Sequence, residues 1–140
     1  MFDLNDYLPY LLNRTGLRIA SAFSRELGRF DLNLQMWRVL AALWHEGDQR
    51  MGRLAEITSI DGSTLSRLVG AMQAKGLVER DRSDADARIV SVSATVNGRA
   101  LTERLIPLAL ATEHKALAGL SQAEIAALKL TLQRVFDNVD

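Results

Sequence analysis

The chain has 140 residues, 48% of them apolar, two prolines and no cysteine, which suits one domain with a sizeable core and excludes disulfides, thiolate metal sites and cysteine redox chemistry. Its 17 Lys and Arg balance 17 Asp and Glu, which is not the basic footprint of a generic nucleic-acid binder, so a nucleic-acid partner would need a basic face offset by acidic residues elsewhere. No apolar run nears the roughly 20 residues that span a bilayer, and the acidic start MFDLNDYLPY lacks the basic segment of a secretory leader, so a cytoplasmic protein without a membrane partner is expected.

Leu and Ala dominate, which favours a mainly α protein. Residues 5–28 read as a first helix. Leu8, Leu11, Leu12, Thr15, Ile19, Ala22 and Phe23 recur at steps of three and four, with Asp6, Asn13, Arg14, Arg18 and Arg25 largely between them. Pro9 sits early, where a helix tolerates it, and Gly28 is the expected stop. The run DLNLQMWRVLAALWHEG predicts a second helix, capped by Asn33 and ended by Gly47. Trp37, Leu40, Ala41 and Trp44 share one face, and Leu34, Val39 and Leu43 widen it, so burial on more than one side is expected.

A short helix over about 52–58 follows, then the turn SIDG and a fourth helix over 63–75, with Asp61 as its cap and Gly76 as its terminator. The fourth helix buries Leu65, Leu68, Val69 and Met72, yet its first turns carry Ser63, Thr64, Ser66 and Arg67. LVERDR and RIVSVSAT read as strands joined by the acidic turn SDADA, a small β-hairpin. Thr95 caps a long helix over about 96–118 in which Pro107 removes one hydrogen bond and should bend the axis. Gly119 ends it, and Ser121 with Glu124 forms a capping box for a last helix striped by Ile125, Leu128, Leu132, Val135 and Phe136.

Two short helices joined by a tight turn and followed by a hairpin make a winged helix-turn-helix. The second helix of such a pair enters the major groove of DNA. Small side chains let the backbone approach, hydroxyls donate or accept, and arginine pairs with guanine or phosphate. LNLQMWRVLAAL, LAEITSIDGSTLSRLVGAMQAKGLVER and DADARIVSVSATVNGRAL, in this order, resemble the MarR family of transcriptional regulators over nearly the whole chain. The third stretch is the most specific, with Asp86-x-Arg88, a strand, Thr95 and Gly98; Ala94 stands where the family usually has leucine.

The resemblance implies a single MarR-like domain over 1–140, with dimerisation helices at about 5–28 and 96–140 and a DNA-binding lobe at about 33–95. It implies a homodimer bound to a pseudo-palindromic operator in double-stranded DNA, most often as a repressor. Carried over by position, Ser63, Thr64, Ser66 and Arg67 are recognition-helix contacts, Arg88 is the minor-groove arginine, and Asp86 orients it. Arg53, Lys75 and Arg82 are backbone-contact candidates. A salt bridge from Arg88 to Asp86 or Asp84 and a solvated Arg67 are the plain structural alternatives.

The family also implies a small-molecule effector, an aromatic acid or phenol, for which Arg14 and Arg18 are the candidate cations and Trp37 and Trp44 the candidate walls; salt bridges and core packing are the competing roles. His45 and His114 stand apart, so no metal or other cofactor is expected. No nucleophile elbow or phosphate loop is present, so an enzyme is not expected. The competing function is a winged-helix protein-interaction module. Residues 49–88 favour neither outright, with seven Lys and Arg (50, 53, 67, 75, 80, 82, 88) against six Asp and Glu (56, 61, 79, 81, 84, 86).

Overall fold

The computed structural model describes residues 1–86 and 88–139; Ala87, the last residue of the expected SDADA turn, and Asp140 lie outside the described residues. The described chain is helical with a small antiparallel sheet, as expected. Helix α1 spans Leu8–Gly28, three residues shorter at its start than its apolar period suggested, because a 3-10 turn at Leu4–Asp6 comes first. Pro9 then falls in the first turn, where no backbone donor is needed.

Helix α1 ends at Gly28, as expected, but Gly28 is not its left-handed residue. The chain reverses at Asp31, which takes φ 56°, and the Leu32 N–H returns to the Leu27 carbonyl at 3.2 Å. Aspartate tolerates this left-handed conformation better than most residues, and Lys75 holds its carboxylate at 2.5 Å. Helix α2 (Leu34–Glu46) starts as expected, with the Asn33 side chain accepting from Met36 N–H at 2.9 Å, and ends at Gly47, φ 79°. Its buried face is Met36, Val39, Leu40, Ala42 and Leu43. Trp37 is half-buried, its ring edge-on to Phe23 at 5.3 Å between centroids, but Trp44 is 47% exposed and is not core. The helix rotates to centre on Val39, Leu40 and Leu43, which turns Trp44 outward.

The sheet has three strands, one more than expected. Strand β1 (Gln49–Arg50) is too short to show a period, and it pairs through Gln49↔Val92 and Arg50↔Ser91. Helices α3 (Met51–Thr58) and α4 (Gly62–Ala74) follow. Between them Ser59 is left-handed (φ 56°). Strands β2 (Val78–Arg82) and β3 (Val90–Ala94) form the hairpin, with Arg80 opposite Val92 and Arg82 opposite Val90, and the strand order is β1-β3-β2. The core joins Leu27, Val39, Leu40, Leu54, Leu65, Val69, Met72, Val92 and Leu105, all essentially inaccessible except to one another.

Helix α5 (Val96–Ala116) runs unbroken through Pro107. Pro107 and Glu103, whose carbonyl loses a helical partner, are both exposed, so water can take the freed acceptor. The start of α5 is fastened to the end of α4. Thr95 N–H donates to the Leu77 carbonyl at 3.0 Å, Thr95 Oγ1 donates to the Gly76 carbonyl at 2.6 Å, and Gly98 N–H donates to Thr95 Oγ1 at 2.9 Å. A Cβ at Gly98 would overlap the Leu77 carbonyl, so only glycine permits this approach.

Helix α6 (Gln122–Asp137) has the expected capping box but buries none of its residues. Leu128, Leu132 and Phe136 on α6, and Leu8, Leu11 and Leu12 on α1, are exposed. The chain presents 9930 Å² to solvent, whereas a compact monomer of 15.5 kDa presents about 7,200 Å².

Candidate nucleic-acid interface

The N-terminal turn of α4 is built around Asp61. Its carboxylate accepts from Thr64 N–H at 3.0 Å, from Thr64 Oγ1 at 2.6 Å and from Ser63 Oγ at 2.8 Å. The Thr64 hydroxyl first, then its backbone N–H and the Ser63 hydroxyl, hold Asp61 well below the usual carboxylate range. Each hydroxyl therefore spends its single proton on the cap and turns lone pairs outward, as an acceptor for a donor such as a base amino group. Arg67 lies one turn on, exposed. Ser66 is half-buried, and it accepts from Arg80 through both its hydroxyl and its carbonyl rather than facing out with its neighbours.

At the wing, Arg88 and Asp86 meet in a two-point ion pair. Nε donates to Oδ1 and Nη2 to Oδ2, each at 3.1 Å, while Arg88 N–H donates to Oδ1 at 3.0 Å. The Arg88 side chain stays 90% exposed, and both of its bonds lower the pKa of Asp86. The expected salt bridge thus forms, with Asp86 as the partner, and it holds the arginine without covering it. Such a fork can enter a narrow minor groove, whose negative potential attracts arginine.

The remaining candidates separate. Arg53 pairs with Glu56 at 3.0 Å and, together with Arg88 and Arg50, lines a cleft of about 460 Å³ between the start of α3 and the wing. Arg50 was missed by sequence reasoning, because its place beside the wing depends on the unexpected β1. Arg82 is exposed on the hairpin's first strand. Lys75 closes the far end of α4, a 13-residue helix, so it lies about 18 Å from the Ser63 end. It is bound there to Asp31, whose pKa it lowers.

The four effector candidates are not brought together. Arg14 and Arg18 line a groove of about 690 Å³ between α1 and α5, with Arg25, Lys115, Leu11 and Ile19. Arg14 also donates to the Tyr10 hydroxyl at 3.2 Å. Trp37 and Trp44 line a different, nearly apolar crevice of about 220 Å³ with Thr102 and Ile106. Helix periodicity placed the arginines on α1 and the tryptophans on α2; it carried no information on how the two helices turn against α5. Among the described residues no cluster of His, Asp and Glu is placed to hold a metal ion, and no helix is long and apolar enough to cross a membrane.

A family model described as MarR family matches residues 30–89, from the corner before α2 to the residue before β3. A crystal structure of a transcriptional regulator of that family from Silicibacter pomeroyi is 32% identical, with a TM-score of 0.88, over 99% of this chain and 93% of that one. The chain belongs to the MarR family. The HTH-type transcriptional repressor IacR of Pseudomonas putida is 28% identical over 99% of this chain and 83% of its own length. BpsR of Bordetella bronchiseptica, whose structure concerns regulation of its DNA binding by 6-hydroxynicotinic acid, is 28% identical with a TM-score of 0.84 over 91% of this chain and 97% of its own. This MarR-family chain is thus similar to that Silicibacter pomeroyi regulator from its first helix to its last, the exposed α6 included.

Proposed function

We propose that this MarR-family protein is a homodimeric, sequence-specific DNA-binding repressor released by a small aromatic acid or phenol. The observation that carries the proposal is the pair of arginines on one lobe: Arg67 exposed on the first turns of α4, and Arg88 aimed but uncovered at the wing. In this arrangement α4 lies in a major groove, Ser63, Thr64 and Arg67 meet base edges and phosphates, and Arg88 enters the adjacent minor groove. Arg50, Arg53 and Arg82 neutralise flanking phosphates, which makes affinity fall as salt rises.

The dimer rests on surface area. The roughly 2,700 Å² by which this chain exceeds a compact monomer is on the scale an obligate interface buries. Covering α6 and the outer face of α1 with a second copy would remove it. Two recognition helices related by a two-fold axis then meet half-sites one helical turn apart.

The effector belongs in the α1–α5 groove. Four cations there, Arg14, Arg18, Arg25 and Lys115, line an otherwise largely apolar cavity, the environment an aromatic carboxylate needs. The small acid that regulates BpsR has this chemistry. A ligand preferring a conformer with a different spacing of the two lobes lowers DNA affinity by the ratio of its affinities for the two conformers.

The test is selection of bound duplexes from a random pool, followed by hydroxyl-radical footprinting. Two protected patches about 10 base pairs apart, centre to centre, are expected. A pool that never enriches would refute DNA recognition and leave the protein-interaction function.

A further inference from the structure

Arg80 has a role that neither the family motifs nor the proposed contacts assign. It sits mid-strand on β2, opposite the fully buried Val92 and two residues from the buried Val78, so its side chain points inward. There it crosses to α4. Nη1 donates to Ser66 Oγ at 3.4 Å, and Nη2 donates to the Ser66 backbone carbonyl. No carboxylate pairs with Arg80 among the described residues, and its Nε is buried without a partner. Residue 70, one turn beyond Ser66, is glycine: a Cβ there would stand in contact with Nη2, at 3.4 Å, and a larger side chain would compete with the guanidinium for this space.

A half-buried cation with a buried, unpaired Nε is a costly way to join a strand to a helix, since an apolar pair of similar volume would pack without that penalty. What a guanidinium adds is direction. Its planar fork grips one residue at two points, which fixes distance and angle together. The residue gripped directly precedes Arg67 in α4, within the turns that carry the expected DNA contacts. The strand that grips it leads directly into the wing that carries Arg88.

We propose that Arg80 is a positioning residue that locks the wing to the recognition helix, so that Arg67 and Arg88 meet DNA as one rigid unit. This rests on the DNA-binding function proposed above. Without the clasp the wing still folds, but Arg88 no longer arrives in register when α4 is seated.

The experiment is a double-mutant cycle on a selected duplex, with thermal midpoints recorded for every variant. Arg88→Ala should cost the wild-type protein roughly tenfold or more in affinity, the scale of one arginine contact. In an Arg80→Met background it should cost threefold or less, because the arginine is already misplaced. Gly70→Val, which fills the slot from the helix side, should reproduce that loss of coupling if Arg80→Met fails to fold. Equal losses from Arg88→Ala in every background would overturn the proposal, even if Arg80→Met lowered the midpoint.

Amide exchange on the free protein tests the clasp without DNA. Arg80→Met should speed exchange in β2 and β3 at least tenfold and leave α1 unchanged. Unchanged hairpin exchange would overturn the clasp. A wild-type protein that binds no duplex while the clasp is found intact would overturn the DNA function instead.

Discussion

Asp61 and Arg88 do opposite jobs with the same kind of bond. Asp61 draws the Ser63 and Thr64 hydroxyls inward to start a helix, whereas Arg88 is held by Asp86 so that its charge stays outward. Arg67→Ala should weaken binding to a selected duplex about tenfold and relax preference at the base it contacts; anisotropy titration against single-base variants checks this, and a uniform loss would assign Arg67 to phosphate. The cap has a pH signature. Hydrogen bonds hold the folded-state pKa of Asp61 well below that of an ordinary aspartate, so its stabilisation is fully present above the unfolded pKa and is lost as pH falls through the folded pKa. Compared with Asp61→Asn by thermal melts, the wild-type advantage should be constant from pH 7 to about 5 and shrink below about 4; an advantage that grew in acid would contradict the cap. The Asp61 cap with Ser63 and Thr64 and the exposure of Arg67 were legible because capping and exposure are local. The Ser66–Arg80 clasp was not, because its partners lie 14 residues apart on different elements. One signal was available: in VERDR, Arg80 has the same inward parity as buried Val78.

The elements were legible where their ends carry chemistry. Asn33, Asp61, Thr95 and Ser121 each accept a backbone N–H at the helix start the sequence marked. Where a turn depends on what the next element packs against, the sequence was silent: α1 ends at Gly28 as expected, but the left-handed residue is Asp31, which is tied to Lys75 across 44 residues. Strand β1 has two residues and no pattern of its own; β3 alone makes it a strand. The joint between α4 and α5 is the element-level feature with the clearest consequence. Gly98→Ala forces the first turn of α5 away from the Leu77 carbonyl, and overpacking of this kind typically costs about 1–3 kcal/mol. Thr95→Ala removes a cap worth about 1 kcal/mol and also the bond to Gly76. Chemical denaturation should rank Gly98→Ala as the worse of the two; a neutral Gly98→Ala would mean that the joint yields easily and couples the two lobes weakly.

Across the whole molecule, the two lobes differ in how much apolar surface they leave exposed. The winged lobe buries its core within a single chain, while α6 and the start of α1 leave Leu8, Leu11, Leu12, Leu128, Leu132 and Phe136 in solvent. Removing residues 121–140 should shift sedimentation from dimer toward monomer at micromolar concentration and leave the winged lobe folded; a stable dimer lacking α6 would move the interface elsewhere. The sequence showed these stripes but not what they cover, since a stripe on one chain does not name the surface it meets. Recognition by α4 and the wing together is tested most directly by fluorescence anisotropy of a selected duplex and its scrambled counterpart, at two salt concentrations, with wild-type protein and Arg88→Ala. Wild-type protein should bind the selected duplex far more tightly than the scrambled one and weaken as salt rises, and Arg88→Ala should lose most of that preference. Equal affinity for both duplexes, or a variant that binds like wild type, would contradict it.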